Sequence, residues 1–343
     1  MSLNKWRKSA SLLLVAKNAI ASTSQFNYKL LTLKRSSKSS TNPEVTVFPG
    51  GILDNAADTS KEWLNIFDNF GFPLETFLSS NPITTKPPIF LPQNPNEIPR
   101  CLSLRITAIR ETFEECGILI CRNNTSKTSE RYNWSNHTTL DDVAMWQQKI
   151  HKNPNEFLNL CSHLEMYPDV LSLHDWSNWF TPATIKARFD TVFFLAAFRE
   201  APPTVAEKNE VMHLQWSTPE EYEEERKNQK IELLVPQFYE ISRLRNFSDV
   251  NGLVLFAQDR AYSGLEKFFP YQIFSGKDAC MILPGDDMYP QPYDPNEEEP
   301  KYFDSIPKSK VQHRVHISSK NMQIEVQNYK PRFNHVLPLT SSK

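Results

Sequence analysis

The sequence lacks an apolar run long enough to cross a lipid bilayer. Its N-terminal part has one short run, Leu12–Ala16, and no other segment approaches about 20 apolar residues, so we expect no membrane span. A strong excess of either charge is also missing, because 38 Lys and Arg residues stand against 40 Asp and Glu residues. A general nucleic-acid binder carries a basic patch or stripe, so no nucleic-acid partner is expected.

Cysteine and glycine are both scarce. The five cysteines form no Cys-x-x-Cys pair and leave an odd thiol, which argues against a disulfide framework and against a zinc site. Only eight glycines occur in 343 residues, so their positions are informative. Two of them form the pair Gly50 and Gly51 after an apolar segment, and a third, Gly117, ends an acidic segment.

The periodicity of apolar residues predicts a mixture of strands and helices. The predicted strands are 11–16, 28–33, 44–48, 189–198 and 212–216, with a hairpin at 271–283. The predicted helices are 102–119, 140–150, 154–165, 219–227, 235–244 and 251–268, with a short one capped by Thr59 or Ser60. A Pro-rich stretch at 82–99 is interpreted as a surface insertion. Strands and helices without strict alternation indicate an α+β fold.

The segment 102–119 has strong helical periodicity. Its apolar side chains fall within one arc: Leu102, Ile106, Ile109, Phe113 and Cys116. Three glutamates, Glu111, Glu114 and Glu115, fall on the opposite arc, where residues three and four apart are neighbours. Carboxylate oxygens bind hard divalent cations, which withdraw charge from a diphosphate and lower the pKa of a bound water. The pattern therefore predicts a metal site, with an ordinary solvated helix face as the alternative.

Arg110 precedes Glu114 by one helical turn. A guanidinium at this spacing can brace a carboxylate through a charge-assisted hydrogen bond. We therefore predict that Arg110 and Glu114 are catalytic, and that Glu111, Glu114 and Glu115 bind the metal.

The segment Arg110–Gly117 resembles the second half of the signature of the Nudix hydrolases, G-x5-E-x7-R-E-U-x-E-E-x-G-U, where U is aliphatic. Thr112 occupies the aliphatic position after Arg-Glu. Segments along nearly the whole chain are similar to an animal branch of this family: 6–14, 30–36, 48–54, 157–164, 173–179, 188–194, 236–240 and 283–286. The resemblance implies a mixed sheet sandwiched between helices, with helical insertions and a C-terminal extension.

The first half of the signature is different in this chain. Ala57 stands where the first glutamate belongs, and the gap from Gly51 to Arg110 is far longer than in the signature. Asp54 and Asp58 lie nearby at other spacings.

We divide the chain into an elaborated domain, 1–290, with insertions near 55–100 and 122–180, and a polar C-terminal tail, 291–343.

The resemblance implies a coenzyme A diphosphatase. Such an enzyme cleaves the diphosphate of CoA and acyl-CoA to 3',5'-ADP (adenosine 3',5'-bisphosphate) and (acyl)phosphopantetheine, with Mg²⁺ or Mn²⁺. One alternative is another Nudix activity, on ADP-ribose, dinucleotides or capped RNA, although the acidic balance disfavours capped RNA. A second alternative is a non-catalytic nucleotide-binding relative. Oligomeric state is left open.

Many Nudix enzymes take the general base from a loop outside the signature. Glu207 and Glu210 precede the strand at 212–216 and are candidates, with solvated loop carboxylates as the alternative, and we choose Glu210. The basic cluster at 34–38 follows a strand, where it either binds the additional phosphate of CoA or forms a solvated hairpin turn. The substrate-binding prediction comprises Lys34, Arg35, Gly50 and Gly51.

Other polar and aromatic residues have two interpretations each. Four aromatic residues could stack on adenine or line an acyl groove, with core packing as the alternative: Trp176, Trp179, Phe189 and Phe194. His163 and His174 are expected to be packed or hydrogen-bonded, since hard cations prefer oxygen. The run 188–190 either orients substrate or forms a structural ion pair.

The cellular location is predicted from family likeness. Relatives tend to end in a peroxisomal tripeptide of the Ser-Lys-Leu kind, and this sequence stops at Ser341-Ser342-Lys343. Eight basic residues precede the first acidic one, Glu44, which raises a mitochondrial transit peptide as an alternative. We expect a peroxisomal protein, with the mitochondrion or the cytosol as alternatives.

Overall fold

A computed structural model describes residues 6–18, 24–37, 42–81, 86–92, 94–123, 134–294, 301–319 and 321–340. Its strands are β1 (Arg7–Lys17), β2 (Tyr28–Arg35), β3 (Thr46–Val47), β4 (Gly50–Ile52), β5 (Cys121–Arg122), β6 (Tyr167–Pro168), β7 (His174–Phe180), β8 (Phe189–Phe198), β9 (Val211–Ser217), β10 (Lys267–Phe268), β11 (Tyr271–Ser275), β12 (Asp278–Ile282), β13 (Lys301–Tyr302), β14 (Gln312–Ser318) and β15 (Asn321–Gln327). Its helices are α1 (Glu62–Asn69), α2 (Leu74–Ser79), α3 (Arg100–Cys116), α4 (Val143–Lys152), α5 (Glu156–His163), α6 (Pro219–Lys227), α7 (Val235–Leu244) and α8 (Val250–Ala261), with short 3₁₀ turns at Pro88–Phe90 and Val170–Ser172.

A mixed eight-stranded sheet forms the centre of the fold. Its strand order is β10-β7-β8-β1-β2-β3, with β4 paired to β1 and β9 paired to β2. Strand β1 runs parallel to β8 and antiparallel to β2 and β4. A mixed sheet combined with helices confirms the predicted α+β class.

Alternating side chains of β1 enter two different cores. Leu12 and Leu14 pack into a core shared with α3, whereas Leu13 and Val15 pack into a second core shared with α7 and α8. Successive side chains of a strand point to opposite faces, so β1 is covered by helices on both sides. This is the helix-sheet-helix sandwich that the family resemblance implies.

A second sheet contains strands from the predicted C-terminal tail. Its order is β13-β11-β12-β14-β15, and three of these five strands come from residues after 300. The description of 291–343 as a polar tail therefore needs correction. The second core includes three apolar side chains of these strands, Val315, Met322 and Ile324. Because apolar and polar residues alternate along a strand, the average composition of the segment is polar although its strands are partly buried. The domain boundary at 290 stays a prediction.

The Pro-rich segment is less superficial than predicted. Ile89, Phe90 and Ile98 are buried in the core on the α3 side of the sheet. Proline blocks regular backbone hydrogen bonding without preventing burial of its apolar neighbours. The insertion therefore supplies part of the core.

One predicted helix boundary is wrong. The Ser60 hydroxyl accepts the N–H of Glu62, the first residue of α1, at 3.2 Å, so Ser60 is the capping residue of the two that were predicted; the Thr59 hydroxyl donates to the carbonyl of Asn55 instead. The helix predicted at 251–268 ends at Ala261, and Lys267 and Phe268 form β10 beside β7. Pairing with β7, a contact formed on folding, competes there with the local helical preference.

No helix in the described ranges has the length and apolarity that a bilayer crossing requires. The C-terminal tripeptide, Ser341–Lys343, lies outside the described residues. The peroxisomal location therefore stays a prediction.

Buried Glu240 joins α7 to β7. Its carboxylate accepts hydrogen bonds from the indole N–H groups of Trp176 (2.8 Å) and Trp179 (2.7 Å) and from the hydroxyl of Ser177 (2.8 Å). The Arg243 guanidinium lies 3.5 Å from the same carboxylate. Both indoles are buried and their polar edges are occupied, so core packing is the correct interpretation of the two tryptophans.

Replacing Glu240 should destabilise the fold strongly. A Glu240→Leu substitution leaves the two indole N–H groups and the Ser177 hydroxyl without their acceptor and leaves Arg243 with Glu266 as its carboxylate partner. We expect a loss of about 3 to 5 kcal/mol of unfolding free energy. The matched control is Glu220→Leu, because Glu220 pairs with Arg245 while half exposed. Urea denaturation measures both variants, and equal losses would contradict the structural role of Glu240.

Candidate active site

Helix α3 carries the acidic segment and is buried along its length except at Glu111, whose side chain is partly exposed. It ends at Gly117, whose φ of 71° is left-handed and whose N–H donates to the carbonyl of Phe113 at 2.8 Å. Glu114 and Glu115 are each only 6% exposed. The alternative of an ordinary solvated helix face is therefore wrong for these two glutamates.

Arg110 pairs with three carboxylates of the site. Its Nε and Nη2 donate to the two carboxylate oxygens of Asp58 at 2.8 and 2.9 Å, and Nη2 also donates to the Ile52 carbonyl at 3.0 Å. Its Nη1 lies 2.5 Å from Oε1 of Glu114 and 3.0 Å from Oε1 of Glu111. Arg110 thereby joins the turn after β4 to two of the predicted metal ligands, as the brace predicted from its spacing.

Asp58 is the charged partner that counting along the signature did not identify. Ala57 stands at the position of the missing glutamate, and the adjacent Asp58 is fully buried. Besides Arg110, its carboxylate accepts the Thr107 hydroxyl at 2.8 Å and the N–H of Asp54 at 2.9 Å. Asp58 therefore stabilises α3 against the turn, and its oxygens are occupied by protein donors.

The glycine pair of β4 lies directly against the acidic cluster. The N–H of Gly50 donates to Oε2 of Glu115 at 2.8 Å. A Cβ atom on residue 51 would lie 2.3 Å from Cδ of Glu111, so Gly51 makes room for that carboxylate. The structure thus places Gly50 and Gly51 beside two predicted metal ligands, and their predicted contact with substrate stays a prediction.

The three glutamates create excess negative charge in a buried place. Burial raises the pKa of Glu111, and burial together with the charge of Glu111 raises the pKa of Glu114 to about 8. The pKa of Glu115 lies well above the usual range for the same two reasons, although the Gly50 N–H and Arg35 oppose the shift. Burial alone would lower the pKa of Arg110, but Asp58 and the two neighbouring glutamates raise it well above its ordinary value. Arg110 pairs with Asp58 as well as with the glutamates, so one guanidinium does not neutralise this cluster, and a divalent cation would offset two of the remaining negative charges.

The loop before β9 is attached to the end of α3. The N–H of Val205 donates to the carbonyl of Cys116 at 2.8 Å, and the N–H of Glu207 donates to the carbonyl of Glu115 at 3.2 Å. The Glu207 carboxylate accepts the backbone N–H groups of Asn209 (2.7 Å) and Glu210 (2.8 Å). Glu207 therefore shapes its own turn, which leaves it poorly placed to act as a base.

Glu210 lies at the exposed edge of the cluster. Its side chain is 49% exposed, and its charge contributes to the raised pKa values of Glu111 and Glu115. His151 of α4 lies between Glu210 and Glu114, with Nδ1 at 3.9 Å from Glu210 Oε1 and 3.8 Å from Glu114 Oε2. His151 was not predicted, because it lies one residue beyond the helix predicted at 140–150 and periodicity does not indicate which element faces it.

Lys34 and Arg35, the two basic residues at the end of β2, point their side chains to opposite faces of the sheet. Side chains alternate along a strand, so Arg35 lies on the α3 side with Leu33, and Lys34 lies on the opposite side with Thr32. The charge of Arg35 lowers the pKa of Glu115 against the effect of burial, which places Arg35 beside the cluster. Arg35 is therefore brought to the candidate site, and Lys34 is not. Lys38 of the same basic cluster lies outside the described residues.

The donors fit a hard divalent cation by their chemistry. Glu111, Glu114 and Glu115 offer only carboxylate oxygens, the ligand type of Mg²⁺ and Mn²⁺. Within the part of the chain that the structure describes, no three acidic, imidazole or thiol side chains converge as a finished metal site. Arg110 holds Glu114 and the Gly50 N–H holds Glu115, so ligation requires at least one glutamate to rotate.

Three other candidates lie outside the cluster. Asp190 accepts hydrogen bonds from Lys8 (2.7 Å) and from the Asn178 amide (2.8 Å), so it forms a structural ion pair. His174 is buried, and burial lowers its pKa to about 4. His163 is exposed on α5 with its ring 6.3 Å from that of Trp146. Neither histidine contacts the glutamates.

The chain is similar to known Nudix proteins along nearly its full length. Residues 6–244 match the family model described as the NUDT19 Nudix domain. The chain is 34% identical to the Homo sapiens protein named acyl-coenzyme A diphosphatase NUDT19, over 98% of this chain and 96% of that protein. It is 33% identical to the Gallus gallus protein of the same name, over 98% and 96%. A crystal structure of a NUDIX hydrolase from Alicyclobacillus acidocaldarius has a similar fold, with a TM-score of 0.53 and 18% identity over 77% of this chain and 99% of that one.

The two glycines of β4 should respond differently to alanine. Gly50 has a φ of 149°, and a Cβ there would lie 2.3 Å from the backbone oxygen of Ala10, so Gly50→Ala should reduce unfolding free energy by about 1 to 3 kcal/mol. At Gly51 the new Cβ meets the flexible end of Glu111. Gly51→Ala should therefore change unfolding free energy by less than about 0.5 kcal/mol. Because the added methyl group displaces the Glu111 carboxylate, Gly51→Ala should also abolish most of the increase in melting temperature that Mg²⁺ causes. An unchanged increase in this variant would contradict Mg²⁺ binding by Glu111.

Stabilisation by a divalent cation should increase with pH. The folded pKa of Glu114, about 8, exceeds its ordinary value of 4.5, so its contribution to stability is complete below the ordinary value and lost as pH rises through about 8. A cation that replaces the proton removes this loss. Melting temperatures with Mg²⁺ and with EDTA at about pH 5.5 and about pH 8.5 measure the difference, which should be larger at the higher pH. A difference that shrinks with pH would contradict cation binding by this cluster.

Proposed function

Because the chain belongs to the NUDT19 Nudix domain family, we propose that it hydrolyses the diphosphate of coenzyme A and acyl-CoA. The products are 3',5'-ADP and (acyl)phosphopantetheine. The observation that carries the proposal is the buried cluster of Glu111, Glu114 and Glu115, which is held by one arginine and bordered by a fourth carboxylate. Such a cluster suits a substrate whose linked phosphates arrive with divalent cations.

Nudix hydrolases generally use divalent metal ions. We propose Mg²⁺ or Mn²⁺ for this chain, held by Glu111, Glu114 and Glu115 after rotation from their present partners. When bound, the ion supplies positive charge that neutralises the diphosphate oxygens. Arg110 is fully engaged with Asp58, Glu114 and Ile52, so it acts as a positioning residue for the ligands.

Glu210 is the group that supports general-base catalysis best. It is half exposed, so water can reach it, and it lies beside the glutamates of α3. In the proposed step a water oxygen forms a bond to one phosphorus and its proton passes to the Glu210 carboxylate. The bridging P–O bond breaks, and its electron pair leaves with the departing phosphate.

Arg35 is the basic side chain that supports substrate binding best. It lies on the same side of β2 as α3, and its charge acts on Glu115. A guanidinium there can contact a phosphate oxygen of the substrate by charge-assisted hydrogen bonds. Lys34 faces the other side of β2, so we assign it no part in the step.

Product analysis tests the proposed function. Purified protein is incubated with Mg²⁺ or Mn²⁺ and CoA, an acyl-CoA or ADP-ribose, and the products are identified by mass. Glu210→Gln should lower kcat on CoA by about 10²- to 10⁴-fold with an unchanged melting temperature, because Glu210 is half exposed. Glu224→Gln, an exposed glutamate of α6, is the matched control and should keep full activity.

Two results would contradict the proposal. Turnover of ADP-ribose without release of 3',5'-ADP from CoA would assign the site to another Nudix substrate. Binding of CoA without any turnover, unaffected by Glu115→Gln, would assign the chain to a non-catalytic nucleotide-binding role.

A further inference from the structure

We infer that His151 is a positioning residue for Glu210, an inference that rests on the proposed function. The imidazole Nδ1 lies 3.9 Å from Oε1 of Glu210 and 3.8 Å from Oε2 of Glu114. With its proton on Nδ1, a neutral imidazole donates toward a carboxylate. A small closure of the contact to Glu210 would make it a hydrogen bond.

The placement of His151 is fixed by a residue one turn earlier on α4. The Gln147 side-chain amide donates to the carbonyl of Glu114 at 3.0 Å and to the carbonyl of Val205 at 2.8 Å. Glu114 belongs to α3, and Val205 belongs to the loop that carries Glu210. Residues four apart share one helix face, so the face of α4 that holds both elements together also presents His151.

Glu210 needs such a partner because its neighbours repel it. Its charge raises the pKa of Glu111 and of Glu115, so electrostatic repulsion favours conformations in which the Glu210 carboxylate turns toward solvent. His151 lies between Glu210 and Glu114, with a side chain that is 39% exposed against 49% for Glu210. An N–H donor there favours the conformation in which Glu210 faces the cluster, where a base must be to reach the attacking water.

Three variants of His151 test the inference with CoA and Mg²⁺. His151→Ala should lower kcat by about 10- to 100-fold while KM and the melting temperature stay unchanged. His151→Asn should restore most of the activity, because the amide nitrogen of asparagine takes the place of Nδ1. His151→Gln carries its amide one carbon further out and should restore less. His163→Ala removes an exposed imidazole from the neighbouring helix and should leave kcat unchanged.

A double-mutant comparison shows through which carboxylate His151 acts. If it acts through Glu210, His151→Ala should have no further effect on kcat in a Glu210→Gln background. An equal further loss in that background would overturn the inference. A weaker apparent affinity for Mg²⁺ in His151→Ala would also overturn it, because the imidazole would then act through Glu114. Wild-type kcat in His151→Ala overturns this inference alone, whereas a wild-type protein that leaves CoA intact overturns the proposed function as well.

Discussion

The buried ion pair between Arg110 and Asp58 is the interaction on which the site depends. It is bidentate and almost fully removed from solvent, so each partner needs the other to offset the loss of hydration. The pair joins α3 to the turn after β4, and the remaining donors of Arg110 reach Glu114 and Ile52. The positions of the three glutamates of α3 relative to the glycine pair follow from this one contact.

Around that contact, four separate parts of the chain supply the site. Strand β4 gives the Gly50 N–H and the space beside Gly51, and α3 gives three glutamates. The loop before β9 brings Glu210, and α4 brings His151. Burial and mutual repulsion disfavour the ionised form of these carboxylates, and a bound divalent cation would offset both effects. The packing of the fold therefore favours cation binding. The same repulsion explains why exposed Glu210 requires a neighbouring donor.

The sequence predicted those features that depend on local pattern. Helix α3, strands β1 and β2, the glycine pair and the Arg110 brace follow from periodicity or from spacing along one element. The contacts that it missed, Asp58 with Arg110 and His151 with Glu210, join distant segments, and no local pattern encodes such pairs. The late strands β14 and β15 were missed because half-buried strands with polar alternation have the composition of a tail.

The most direct measurement is anomalous diffraction from crystals grown with Mn²⁺. We expect a Mn²⁺ peak at coordination distance, about 2 Å, from carboxylate oxygens of Glu111, Glu114 and Glu115, with at least one of these side chains rotated away from its present partner. Arg110 should remain paired with Asp58 in that state. A cluster without Mn²⁺, with Glu114 still on Arg110 and Glu115 still on Gly50, would contradict cation binding by these glutamates.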